Sequence, residues 1–275
     1  MIKAAVLGSP IGHSLSPVLH KRAYELLGVE GSYEKIEVKS GELKTFLESV
    51  RSDGWTGFSL TMPLKEEIVE LDLLIEPIAK LSRSANTILF SDGEPARALS
   101  TDKLAFDRLL NVGRDSRVAI LGGGGTARSA AASLSGRVSH FDAFVRSPQK
   151  SKSLLEAAPA AEISIHNFAD FTVDSWSRYD IVVSTVPAGA SDELALALHG
   201  RNEDLSAVRF VEVLYNPWPT DLLASMRLFG AQCSDGLDLL VEQALDQISL
   251  FTGMEFDYDW MRSELLAVGL RELSL

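Results

Sequence analysis

The sequence has one cysteine, Cys233, among its 275 residues. No intrachain disulfide can form and no metal site can be built on thiolates, so nothing requires an oxidising compartment. The five histidines, His13, His20, His140, His166 and His199, show no His-x-x-x-His or similar ligand spacing, and no metal is expected. Long hydrophobic runs are missing too: no stretch approaches the ~18 consecutive apolar residues of a membrane span. The amino terminus, Met1 to Gly8, has a short apolar run without a basic leader, and it reads as a β-strand rather than a signal peptide. A cytoplasmic protein is expected. Positive charge is scarce, with 26 Lys and Arg against 38 Asp and Glu, a net charge of −12. That balance argues against the basic face of a nucleic-acid protein and against docking on an anionic membrane. What remains is ordinary globular composition, 46% hydrophobic and 23% charged, in a length that suits one large domain or two modest ones.

Strand and helix signals alternate along the chain. Ile2–Leu7 reads as a buried strand. Ser16-Pro17 predicts a helix start, with Ser at the N-cap and Pro at the first helical position; Gly28 ends that helix. Leu43, Phe46, Leu47 and Val50 recur at helical spacing. Phe58–Thr61 is a short strand stopped by Pro63. Thr87–Phe90 and Ala96–Leu99 flank Ser91-Asp92-Gly93-Glu94 as a hairpin. From about Asp102 the pattern turns to apolar strand, then helix. Helices are predicted over Leu104–Leu110, Ala127–Leu134 and Lys150–Ala157. Strands are predicted at Val118–Leu121, Phe141–Val145, Asp180–Ser184 and Phe210–Leu214. Helices over Leu237–Phe251 and Tyr258–Leu266 close the chain. This alternation predicts an α/β fold with a doubly wound parallel sheet covered by helices on both faces.

Gly122-Gly123-Gly124-Gly125-Thr126-Ala127 follows a strand and opens a helix, and Gly122, Gly124 and Ala127 fit G-x-G-x-x-G/A. The first glycine permits the tight turn, the second lets backbone approach a pyrophosphate, and the small third residue lets helix and strand pack closely. The pyrophosphate would sit on free amides at the helix N-terminus. A flexible glycine turn, or the nucleotide loop of a methyltransferase, would also use such residues. The next strand ends at Arg146-Ser147-Pro148-Gln149-Lys150, with no acid to hold a ribose 2′-hydroxyl; Asp142 lies too early, inside the strand. Arg146 and Lys150 there can bind a 2′-phosphate, which favours NADP over NAD. The bland alternative is that Arg146 is a solvated loop charge.

Three loops of the first half carry polar residues that local structure does not require. Ser14 and Ser16 flank Leu15 at a helix N-terminus and can hydrogen-bond a carboxylate, although Ser16 also serves as a cap. Thr61-Met62-Pro63-Leu64-Lys65 turns from strand end to helix, where α/β sites form. Ser84-Ala85-Asn86-Thr87 and Ser100-Thr101-Asp102 follow, and Asp102 also reads as an N-cap.

At these segments the chain resembles the shikimate dehydrogenases. The matches run from Gly12-His13-Ser14-Leu15-Ser16-Pro17 through Ser59 to Lys65, Ala85-Asn86-Thr87, Thr101-Asp102, the glycine loop with Arg128, Ser184-Thr185-Val186-Pro187 and Tyr215 to Thr220. They end at Asp235-Gly236-Leu237 and Leu239-Leu240-Val241, with Gln243. The resemblance implies the NADPH-dependent reduction of 3-dehydroshikimate to shikimate, with Lys65 and Asp102 as the catalytic pair. It implies that Ser14 and Ser16 hold the substrate carboxylate and that Thr61, Asn86, Tyr215 and Gln243 surround the ring. Gly122, Gly123, Gly124, Gly125, Thr126, Ala127, Arg146, Ser147, Lys150 and Thr185 would hold NADP, with Val213 and Gly236 beside the nicotinamide. Two α/β domains are implied: residues 1–101 with 237–275 bind substrate, and residues 102–236 form a Rossmann-like dinucleotide domain. The partner is a small molecule, and the assembly a monomer or homodimer. Ser100 replaces the family's usual Asn, Lys103-Leu104-Ala105 lack a usual glycine, Val145-Arg146-Ser147 replaces Asn-Arg-Thr, and Glu212 replaces a common Asp. These departures bear on cofactor choice and turnover more than on reaction class. An NAD-dependent quinate/shikimate dehydrogenase and a catalytically idle ligand-binding paralogue are the alternatives.

Overall fold

Apolar strands separated by helices gather into two units, Met1–Ala105 with Leu240–Leu275, and Phe106–Leu239. A computed structural model describes the whole chain except Ser52, Asp92, Gly93, Pro95, Gly200, Asn202, Leu275 and the side chain of Lys150.

The first unit holds β1 (Ile2–Gly8), β2 (Gly31–Glu37), β3 (Gly57–Leu60), β4 (Leu74–Ile75), β5 (Thr87–Leu89) and β6 (Arg97–Leu99), in the order β2-β1-β3-β5-β6-β4. Only β5 runs against its neighbours. The sheet is therefore mixed, because the hairpin expected near residue 92 reverses the chain there. Ile88 pairs with Ala98, while the turn residues Asp92 and Gly93 lie outside the described residues. β1 is apolar throughout because both its faces are covered. Ala5 and Leu7 pack with Phe58, Leu60 and Ile88, and Ala4 and Val6 pack with Tyr33 and Phe251.

Helices α1 (Ser16–Leu27), α2 (Leu43–Ser49), α3 (Leu64–Glu67), α4 (Pro77–Ser82) and α5 (Thr101–Leu109) belong to the chain's first half. Gly28 ends α1 in the left-handed conformation, as its position predicted. The start of α1 differs from expectation. Leu15, not Ser16, holds the cap position, because Ser14 Oγ already accepts the Ser16 amide at 3.3 Å, a local turn that begins one residue earlier. Helix α5 likewise begins at Thr101, ahead of the predicted Leu104.

The second unit is a parallel sheet of β7 (Val118–Leu121), β8 (His140–Val145), β9 (Glu162–Asn167), β10 (Ile181–Ser184), β11 (Arg209–Glu212) and β12 (Gln232–Ser234). The order β12-β11-β10-β7-β8-β9 reverses direction between β7 and β10, which leaves a crevice at the strands' carboxyl ends. Helices α6 (Gly125–Leu134), α7 (Lys152–Ala157), α8 (Asp192–Leu198) and α9 (Asp221–Leu228) connect the strands. Trp176, Phe210, Leu121 and Val182 are buried in its core. The single helix predicted over Lys150–Ala157 is instead a 3₁₀ turn over Pro148–Lys150 followed by α7. The turn closes on itself through the Ser151 amide, which donates to Pro148 O at 3.1 Å.

Helix α10 (Gly236–Thr252) starts in the second unit and ends in the first, and α11 (Tyr258–Leu273) packs along α1. Arg22 of α1 donates to Glu264 of α11 at 2.7 Å. Among the described residues no helix is long and apolar enough to cross a membrane.

Candidate active site

In the first unit the topology gathers polar loops at one end of the sheet. Leu7 of β1 lies level with Leu60 of β3, and the two strands are parallel, so the segments carrying Ser14, Ser16 and Thr61 leave at the same end. The antiparallel β5 brings its beginning there as well: the Leu60 amide donates to Asn86 O at 2.8 Å and the Asn86 amide to Leu99 O at 3.0 Å. Ser100, Thr101 and Asp102 therefore follow β6 at this end too. The Ala85 amide donates to Lys65 O at 2.9 Å and fixes the short α3 beside them.

Lys65 Nζ donates to Asp102 Oδ2 at 2.6 Å. Asn86 Nδ2 donates to Asp102 Oδ1 at 2.9 Å, and is shared with Thr101 Oγ1 at 2.8 Å and Gln243 Oε1 at 3.1 Å. The Asp102 side chain is only 4% exposed, whereas that of Lys65 is 20% exposed. A buried carboxylate is tolerable only when paired and hydrogen-bonded, and here each oxygen has a donor. Asp102 is therefore the anchor of this cluster rather than a helix cap, and Lys65 is the member of the pair that reaches open space. Gln243 comes from the distant α10, and its Nε2 donates to Leu240 O at 2.7 Å.

Ser14 and Ser16 are buried in the loop after β1 and linked to each other, Ser14 Oγ accepting the Ser16 amide. Thr61 is half-buried, with its amide on Leu7 O at 2.9 Å, and its methyl lies over Gly8, where any Cβ would overlap it.

In the second unit the glycine loop leaves the carboxyl end of β7. Gly122 has φ +112°, and a Cβ there would overlap Thr185 Oγ1. Thr185 cannot yield easily, since its amide and hydroxyl both donate to Leu121 O, at 2.8 and 2.9 Å. A Cβ on Gly123 would press on Val145 Cγ1 at 3.2 Å, so the loop lies beside the end of β8, after which Arg146 is exposed. At Gly124, among the described residues, no atom beyond its chain neighbours lies within 4 Å of the Cβ position, and α6 begins at Gly125. Thr126 is half-buried in the first turn, and Ala127 is fully buried. Arg128 is buried and donates to Gly123 O at 3.4 Å. Ser147 O accepts the Ser151 hydroxyl at 3.2 Å; the side chain of Lys150 is outside the described residues. Asp142 bonds His166 Nε2 at 2.8 Å and accepts from Tyr179 at 3.0 Å, away from the strand end.

The end of β11 gathers the remaining predicted residues. The Val213 amide donates to Ser184 O at 3.1 Å. Gly236 lies against the backbone of Leu214 and Tyr215, so close that a Cβ would stand 2.6 Å from the Tyr215 amide nitrogen. Beside them Glu212 is fully buried. Burial pushes its carboxyl above the usual range, although Thr220 Oγ1 donates to Oε2 at 2.5 Å. Among the described residues no group of three or more His, Cys, Asp or Glu is placed to hold a metal ion.

Direct bonds thus join Lys65, Asp102, Asn86 and Gln243, and place Thr101, a residue given no role from sequence, in the same group. Gln247 was not foreseen either. It lies one turn beyond Gln243, and two amides four residues apart, on the same face of one helix, were the available signal.

Residues 6–88 match the family profile described as the shikimate dehydrogenase substrate binding domain. The shikimate dehydrogenase (NADP(+)) of Bacillus cereus is 30% identical over 90% of this chain and 91% of its own. The crystal structure of Mycobacterium tuberculosis shikimate dehydrogenase is similar with a TM-score of 0.83 at 31% identity, covering 98% of this chain and 100% of that one. The shikimate 5-dehydrogenase of Thermus thermophilus, solved in complex with NADP(H) and shikimate, has a TM-score of 0.79 at 28% identity, covering 98% and 100%.

Proposed function

The chain belongs to the shikimate dehydrogenase family, and from that premise we propose that it catalyses the reversible NADPH-dependent reduction of 3-dehydroshikimate to shikimate. The observation that carries the reading is the 2.6 Å bond between Lys65 and a buried, doubly bonded Asp102. Neither an NAD-dependent quinate/shikimate enzyme nor an idle paralogue is favoured by relatives named for NADP(+).

The first unit serves as the substrate domain and the second as the dinucleotide domain. The hydroxyls of Ser14 and Ser16 hold the substrate carboxylate, and Thr61, Asn86, Tyr215 and Gln243 hold the ring and its hydroxyls. The second unit fits a dinucleotide: the open face of Gly124 leaves room for a pyrophosphate, with Gly122, Gly123, Gly125, Thr126 and Ala127 shaping the turn beneath it. Thr185 supports that turn, Arg146 with Ser147 and Lys150 takes the 2′-phosphate, and Val213 and Gly236 flank the nicotinamide. When bound, NADPH supplies the hydride that reduces the ketone carbon.

Lys65 donates a hydrogen bond to the ketone oxygen and stabilises the alkoxide charge that develops there. Its ammonium then releases a proton to that oxygen, and the amine is reprotonated from solvent. Asp102, with both oxygens bonded and little surface open, orients the ammonium and does not itself reach the substrate. The enzyme works in the cytoplasm as a monomer or homodimer; light scattering distinguishes the two.

The test is an absorbance assay at 340 nm with shikimate and each of NADP and NAD. Wild-type protein is expected to reduce NADP in preference to NAD, and Lys65→Met to fold, to retain shikimate binding by calorimetry, and to lose at least about 10³-fold in kcat. Absence of any wild-type turnover, or near-normal kcat in Lys65→Met, would sink this reading.

A further inference from the structure

Behind Asn86 and Asp102 the first unit buries a line of polar side chains that no step of the reaction touches. Ser59, Thr87 and Gln247 are all buried, as is Asn86 in front of them. Their orientations follow from two main-chain groups that have no choice of role. The Thr101 amide can only donate, and it donates to Asn86 Oδ1 at 2.8 Å. The Asn86 carbonyl can only accept, and Gln247 Nε2 donates to it at 3.1 Å. Both side-chain amides are thereby fixed.

The hydroxyls follow in turn. Gln247 Nε2 also donates to Thr87 Oγ1 at 2.9 Å, which leaves the Thr87 proton to donate to Asn86 Oδ1 at 3.1 Å. Ser59 donates to Gln247 Oε1 at 2.7 Å and accepts the Tyr33 hydroxyl at 2.6 Å. Every bond points the same way: Tyr33 donates to Ser59, Ser59 to Gln247, Gln247 to Thr87, Thr87 to Asn86, and Asn86 to Asp102. Bonds aligned head to tail polarise one another, most strongly where water is excluded.

We propose that Gln247 and Thr87 are positioning residues of the enzyme: together with the Thr101 amide they hold the Asn86 amide in the orientation that donates to Asp102, and so hold Lys65 where the substrate's oxygen arrives. Neither residue meets the reacting atoms. The proposal rests on the functional reading above.

Four variants test it: Thr87→Val, Thr87→Ser, Gln247→Leu, and the double Gln247→Leu/Thr87→Val. Thr87→Val and Gln247→Leu are each expected to lower kcat about tenfold, with any rise in KM for shikimate, through Asn86, smaller than the fall in kcat. Thr87→Ser keeps the hydroxyl and should restore kcat to within about twofold of wild type. The double variant should be no slower than the poorer single one, because both cut the same line. Wild-type kcat in both single variants, or losses that multiply in the double, would overturn the proposal. Should Gln247→Leu fail to fold, the Thr87 pair carries the test. A second measurement does not depend on turnover: the Asn86 side-chain amide protons, followed by ¹⁵N NMR, should exchange slowly in wild type and Thr87→Ser and quickly in Thr87→Val. If wild-type protein is inactive the functional reading fails, whereas unchanged Asn86 protection in Thr87→Val overturns the positioning role by itself.

Discussion

His20 is a titratable ring used for packing. It is fully buried on α1, stacked on Tyr33 with centroids 4.0 Å apart and planes 18° from parallel, and flanked by Tyr24 and Phe251. Burial depresses its pKa from 6.5 to about 3. The folded ring therefore stays neutral where the unfolded one takes a proton. Stability is complete above pH 6.5 and falls as the pH drops from there towards 3, by up to about 1.4 kcal/mol per pH unit from this group. Denaturant unfolding at pH 7 and pH 5 should show that slope, and His20→Phe should flatten it; equal slopes in the two proteins would count against the assignment. The grouping of Lys65, Asn86 and Asp102 was partly legible in sequence, because each stands where an element begins or ends, although Asp102 also read as a helix cap; the structure joins the three by direct bonds. Gln247 escaped because a glutamine in a helix resembles a solvent-facing residue. Only the burial of Val241, Ala244, Leu245 and Ile248 around it shows a helix enclosed on most sides.

Among the elements, the strands that were legible are those buried on both faces. Val118–Leu121 is a continuous apolar run, Ile181–Ser184 is apolar up to its closing Ser184, and every residue of both is buried. The edge strands β2 and β9 were not foreseen, because their exposed positions carry Glu34, Lys35 and Glu162 and break the apolar pattern. Close approach between elements was likewise invisible. Gly57 opens β3 where a Cβ would overlap both Ile88 O of β5 and the Phe251 ring of α10. One contact is main chain and the other a buried aromatic, so neither can move aside. Gly57→Ala is expected to destabilise the protein by about 1–3 kcal/mol. Gly113→Ala, with no atom within 4 Å, is the control that should leave the melting temperature nearly unchanged. Similar melting of both variants would show that the sheet yields there.

For the whole molecule, the net charge of −12 is compatible with anionic ligands. Surface charges are screened beyond ~8 Å at physiological salt, so a half-buried, locally bonded Lys65 and an exposed Arg146 act in their own surroundings. The organisation into units matters more for integrity. The first unit takes Gln243, Gln247 and Phe251 from the segment Leu240–Leu275. A chain truncated after Leu239 should lose the cooperative unfolding of the first unit, seen by calorimetry as the loss of part of the transition enthalpy. A full-size transition would contradict that dependence.

The same division sets an order of events during synthesis. The early strands β1 to β6 belong to a unit that also takes α11 and most of α10 from the late segment Leu240–Leu275. Residues 106–239 are contiguous and can finish folding as soon as they emerge. The earlier segment lacks Phe251 beside β1, and the bonds of Gln243 and Gln247, until α10 has been translated. Within these residues the unit begun first is the unit completed last.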